Sequence, residues 1–202
     1  MKEKRLLIAL LVLTIVMLAL GTLPIHGEEE VYNTVIRLHV LANSDSEEDQ
    51  ARKLQVRDAI LDVTAPLLQD CNSQEEARLL LEQHSDTLIL TAEETLRAAG
   101  SPASVTVMLG EESYPRRNYD SFCFPSGDYL SLRICIGEAA GQNWWCCLFP
   151  PLCIGAATVS EEEAEEAFIA VGLTPSQYKI ITESEKPVYK VRFKLLELLF
   201  GR

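Results

Sequence analysis

The sequence predicts an α+β fold: a single domain with a small mixed or antiparallel sheet packed by two or three helices. Three observations predict it. Apolar residues alternate with polar ones over Val35 to Leu41, Val105 to Leu109 and Leu130 to Ile136, the period of two that a strand requires. The stretches between the first and second of these repeat their apolar residues at helical spacing behind serine caps. The composition, 48% hydrophobic and 24% charged over 202 residues, is that of an ordinary foldable chain, neither disordered nor polytopic in a membrane.

Residues 1–27 stand apart and are read as a signal peptide or an N-terminal membrane anchor. Lys2, Lys4 and Arg5 precede an apolar run from Leu6 to Leu20, and Gly21, Pro24 and Gly27 break it. A basic start, an apolar centre of this length and small residues beyond it are the pattern of an export signal. Residues 28–202 then form one domain, long enough to bury roughly 70% of its unfolded surface without help from a metal.

Within that domain the first strand carries Ile36, Leu38 and Val40 on one side and Arg37 and His39 on the other, and reads as half-buried. Asn43-Ser44-Asp45-Ser46 is a turn cluster, and Ser46 with Asp49 resembles a capping box opening a helix. The helix stripe is read as Ala51, Leu54, Leu61, Ala65 and Leu68, with Ile60 and Val63 beside it and Arg52, Lys53, Arg57 and Asp58 facing elsewhere; Pro66 should kink or end it. Ser73 with Glu76 opens a second helical pattern through Leu80, Leu81, His84 and Leu88, continued on the same face by Thr91, Ala92, Thr95, Leu96 and Ala99 until Gly100. His84 falls on that apolar stripe and reads as a core position.

Two strands follow, separated by aromatic, proline-bearing loops at Ser113 to Tyr119 and Phe124 to Tyr129. In Asn143 to Cys153 both tryptophans meet three cysteines and Pro150-Pro151; prolines exclude the interior of a central strand. Ser160 caps an acidic helix whose glutamates form a solvated face and complement the helix dipole. Lys190 to Leu199 is amphipathic, a strand and then a helix.

Charge divides the chain. The formal net charge is −12; the first 27 residues carry +2 and residues 186–202 carry +4, which leaves −18 between them. A body so acidic repels nucleic acid and anionic lipid, while the N-terminal segment and the basic tail are free to contact a membrane. The six cysteines allow 15 complete pairings, and export puts them where disulfides form. A Cys146–Cys153 bond would close a small loop around the proline pair, worth about 2 to 3 kcal/mol in the entropy account. With no C-x-x-C pair and three scattered histidines, no metal site is expected, nor any cofactor.

For catalysis, Cys135 or Cys146 could serve as nucleophile, His39 or His84 as base and Asp45 or Asp58 as orienting group, but no local signature joins them. The chain is therefore expected not to be an enzyme. A secreted cell-envelope hydrolase is the alternative.

Two long motifs resemble a known family. Ile36-Arg37-Leu38-His39-Val40-Leu41-Ala42-Asn43-Ser44-Asp45-Ser46, continued by Asp49-Gln50 and Val56-Arg57-Asp58-Ala59, resembles the opening motif of the stage II sporulation protein R family. Asn143-Trp144-Trp145-Cys146 with Leu148-Phe149-Pro150-Pro151-Leu152-Cys153 resembles its second signature, and Phe124 to Tyr129 falls where the family has a similar stretch. Cys147 stands where an aliphatic residue is usual, and the chain after Cys153 matches loosely. The resemblance implies a signalling protein made in the forespore and exported across its membrane into the intermembrane space. There it would activate a membrane-embedded aspartic peptidase that cleaves the pro-sequence from an early mother-cell sigma factor. The residues expected to contact that partner are Asn43, Ser44, Asp45, Arg57, Asp58, Trp144 and Trp145.

Overall fold

The structure is a computed structural model that describes residues 4–5, 11–13, 31–118, 123–154, 157–158 and 160–182. The chain divides into two compact units, one of residues 28–182 and one of residues 1–27 with 183–202. In the second only Lys4, Arg5 and Leu11 to Leu13 are described, and they are helical. The expected export segment otherwise lies outside the described residues, as does the basic tail. No helix among the described residues is long and apolar enough to cross a membrane.

The body is α+β. Its four-stranded sheet contains β1 (Ile36–Leu41), β2 (Val105–Tyr114), β5 (Gly127–Ile136) and β6 (Asn143–Phe149), in the order β2-β5-β1-β6. β1 runs parallel to β5 and antiparallel to β6, and β2 is antiparallel to β5, so the sheet is mixed. Short pairs complete the strands: β3 (Arg117–Asn118) with β4 (Cys123–Phe124), and β7 (Cys153–Ile154) with β8 (Ala157–Thr158).

Between β1 and β2 come α1 (Glu47–Leu68), α2 (Gln74–Gln83) and α3 (Ser85–Ala98). Ile36, Leu38 and Val40 of β1 meet Val56, Ile60, Leu81, Leu88 and Leu96 of these helices in the larger core. A second core holds Val35, Tyr114, Phe124, Tyr129 and Cys147 together with Phe168 of α4 (Glu161–Ala170) and Tyr178 and Ile181 of α5 (Pro175–Thr182).

That second layer is why β1 is not half-buried as expected: all six of its residues are buried. β5 and β6 close its two edges, and the rings of Tyr114, Phe124 and Tyr129 cover its Arg37 face.

Three further expectations change. The buried face of α1 is Lys53, Val56, Arg57, Ile60, Leu61, Thr64 and Leu68, while Ala51, Leu54 and Ala65 are exposed. Reading the two cations as solvated rotated the stripe; each is instead buried with partners. Pro66 lies in the last turn of α1, which ends at Leu68. The pattern from Ser73 to Ala99 is two helices, broken at His84, whose backbone leaves the helical region and whose Nδ1 lies 2.8 Å from the Leu80 carbonyl oxygen. The strands β2 and β5 also run longer than expected, to Tyr114 and from Gly127, because the two extend one continuous antiparallel ladder.

Caps follow the serines. Ser46 and Ser73 accept from the backbone N–H groups of Asp49 and Glu76, and Ser160 with Glu163 forms a full capping box. Glu162, Glu163, Glu165 and Glu166 are exposed, with Ala164 and Phe168 turned inward.

Candidate partner-binding site

Alternation along each strand sends successive side chains to opposite faces. On the face away from α1–α3, register places Met108, Arg133, His39 and Trp145 in one row across the four strands, and Gly110, Ser131, Arg37 and Cys147 in the next. The Arg37 end is roofed by the second core. Arg37 is fully buried, its guanidinium 4.6 Å from the Tyr114 ring centroid, 4.5 Å from Phe124 and 5.3 Å from Tyr129, and its Nε donates to the Cys146 carbonyl at 3.1 Å.

The β2 side stays open. Gly110 has no side chain and Ser131 opposite it has a small one, so the floor of the face drops there. The result is a cleft of about 400 Å³ lined by Met108, Gly110, Glu112, Ser131 and Arg133. Glu112 reaches across it to accept from His39 Nδ1 at 2.8 Å, and the other ring nitrogen lies 3.0 Å from Asn143 Oδ1. Arg133 Nε is 3.9 Å from Glu112 Oε1, an ion pair without a hydrogen bond. Tyr114 shares a 2.6 Å bond with Ser131, and burial holds its phenol well above the ordinary range. Trp145 lies 5.3 Å from the His39 ring and is covered by the Arg117 guanidinium at 3.8 Å.

The sequence-derived contact residues divide between locations. Trp145 lies at this face. Trp144, the next residue along β6, points to the helix side, where Arg57 stacks on it at 4.4 Å. Arg57 is buried and bonded to Asp58, whose carboxylate is about half exposed. Lys53, one turn before Arg57, is also buried; it donates to Gln50 Oε1 at 2.6 Å and to the Gln142 carbonyl at 3.0 Å, and desolvation lowers its pKa.

Asn43, Ser44 and Asp45 lie at the end of β1 and bind a neighbouring turn. Asn43 Oδ1 accepts from Glu138 N at 3.0 Å, and Asp45 Oδ1 accepts from Gln142 N at 2.8 Å. Asn43 Nδ2 and Ser44 Oγ donate to Asp49 at 2.8 and 2.6 Å. These bonds, Ser44 first and then Asn43, with Arg52 beside them, hold the Asp49 carboxyl at about 2.

Neither imidazole hydrogen-bonds a cysteine among the described residues, and Asp45 and Asp58 are engaged elsewhere. Cys71, Cys123, Cys135 and Cys147 are free thiols, and burial pushes the Cys147 thiol up to about 12. The expected Cys146–Cys153 bond involves a side chain outside the described ones. No three His, Cys, Asp or Glu side chains converge on a metal position among the described residues.

Sequence reasoning missed Glu112, Arg133, Gly110 and Ser131. Gly110 gave no signal of its own, because it follows the last alternating residue, Leu109, where a glycine reads as the stop of a strand rather than as a gap within one.

A sequence profile of stage II sporulation protein R matches residues 32–159. Over 136 residues the chain is 38% identical to the stage II sporulation protein R of Bacillus subtilis (strain 168), an alignment that covers 65% of this chain. It covers 61% of that relative, so the chain spans about three fifths of the relative's length. No solved structure matches.

Proposed function

The chain belongs to the stage II sporulation protein R family, and from that premise we propose that it is an exported sporulation signal. It activates a membrane-embedded aspartic peptidase and so triggers removal of the pro-sequence from the early mother-cell sigma factor. The observation that carries this reading is the family match, which spans residues 32–159, the whole four-stranded sheet and α1 to α3. In this reading residues 1–27 export or anchor the chain across the forespore membrane. The domain acts in the intermembrane space, with membrane contact left to the N-terminal segment and the basic tail.

The chain works by binding rather than by chemistry of its own. Two features support this. The His39 ring is engaged at both nitrogens, and the buried Cys147 thiol is held far from its reactive form. An activator shifts its target only as far as it binds the active arrangement better than the inactive one. The contact surface is centred on Trp145, with Asp58 and the Asn43-Ser44-Asp45 turn at its margins, and Arg57 and Trp144 bracing it from the helix side. Cys146 is assigned to Cys153 as a disulfide, since the other four cysteines are free thiols.

The experiment is reconstitution. The full chain, the peptidase and the sigma-factor precursor are co-expressed in a host that lacks all three, and processing is read by immunoblot. Processing that depends on the chain is expected; precursor left intact in its presence, or cleaved equally without it, overturns the proposal.

A further inference from the structure

β2 is an end strand of the sheet. Its inner side pairs with β5 along all ten residues from Val105 to Tyr114, without a register shift. Its outer side makes no backbone hydrogen bond among the described residues. A row of open N–H and C=O groups is a template for another strand, and proteins usually blunt it with a short edge, a bulge, a proline or charged side chains. β2 has no bulge or proline and is ten residues long, and the charges it carries, Glu111 and Glu112, are both acidic, so they repel an acidic strand and admit a basic one.

What it has is a gap at its centre, with a loosely paired arginine on one face and an exposed glutamate on the other. A side chain added at Gly110 would meet nothing within 4 Å. Beside that gap, the Arg133 side chain is 40% exposed and its guanidinium makes no hydrogen bond among the described residues. Glu112 is held by His39 and only approaches Arg133. On the opposite face of the strand Glu111 is exposed and has no ion-pair partner among the described residues. The body around the strand carries a net charge of −18, because the first 27 residues and residues 186–202 hold +2 and +4 of the chain's −12.

We propose that the outer edge of β2, from Met108 to Glu112, receives an extended, net-basic segment of a partner protein as an added strand. Main-chain bonds supply affinity, and alternate side chains supply specificity. One partner side chain enters the space over Gly110 and offers a hydrogen-bond acceptor to Arg133. A carboxamide suits that position, because a carboxylate would be repelled by Glu112. The neighbouring partner residue points the other way and places a lysine or arginine against Glu111. The inference rests on the activator reading, and the partner is the protein that the chain activates.

The test uses the full chain and the peptidase in lipid nanodiscs. Gly110→Val fills the gap without a clash, and valine favours a strand, so the variant should melt no lower than wild type. It should bind at least tenfold more weakly. Glu111→Lys should weaken binding similarly, whereas Glu162→Lys, an equal charge change on the exposed face of α4, should not. With Met108→benzoylphenylalanine, photocrosslinking should capture a basic stretch of the peptidase.

Wild-type affinity in both Gly110→Val and Glu111→Lys, or crosslinks only to a second copy of the chain, would overturn the edge proposal while leaving the activator reading standing. A wild-type chain that fails to bind the peptidase removes the activator reading and the edge proposal together. The wild-type arm therefore tells the two failures apart.

Discussion

Arg37 shows what a single buried cation does in this molecule. Its guanidinium lies among three aromatic rings and bonds the backbone of β6, so it cements the central strand to the second core. Arg37→Ala should cost about 3 kcal/mol or more, through the cavity and the lost ring contacts. Arg37→Met, which refills the space with an unbranched apolar chain, should cost less; urea denaturation of both variants checks the order.

Asp49 makes a pH prediction. Its carboxyl lies at about 2 in the folded chain against an ordinary 3.8, because Ser44, Asn43 and Arg52 favour the charged form. Between those values the unfolded chain binds more protons, so this contribution to stability is complete above about pH 4 and fades as pH falls toward 2. Asp49→Asn should flatten that part of the acid-unfolding profile. Trp145 and Arg57 should separate in their effects. Trp145→Ala should reduce sigma-factor processing more than thermal stability, whereas Arg57→Ala, which strips the stacking partner of Trp144, should lower both in step.

Among the elements, the turn after β5 is held by the end of β1, and two glycines permit it. Gly137 has a φ of +55°, and a Cβ there would strike Asn43 Oδ1; a Cβ at Gly141 would strike the Ser44 carbonyl. Gly137→Ala or Gly141→Ala should therefore destabilise by roughly 1 to 3 kcal/mol, measurable as a lower thermal midpoint. Asn43, Ser44 and Asp45 act together there: each bonds a backbone or side-chain group that fixes this corner. The strands were legible from their period of two and the helix starts from their serines, since both are local signals. The buried face of α1 was not, because Lys53 and Arg57 turn inward only where Gln142, Asp58 and Trp144 wait for them. Gly110 and Glu112 were equally illegible. The alternation used to find β2 stops at Leu109, and the partner strand that carries it further is remote in sequence.

For the molecule as a whole, among the described residues both cores draw only on residues 31–181. A chain trimmed to residues 28–182 should therefore unfold cooperatively, with far-ultraviolet and tryptophan signals coincident in a denaturant titration. Separate transitions would show that residues beyond 182 complete the fold.

By itself the sequence determined the class of the fold, the sites of the caps, the division of charge and the family. All of these are carried by neighbours along the chain or by motifs read in order. Only the tertiary structure decided that β1 lies between β5 and β6, that Arg37 is enclosed, and that Trp144 and Trp145 serve opposite faces. It also decided that the open trough forms beside Gly110. A period of two says that a strand has two sides; what covers each side depends on which distant segments pack there.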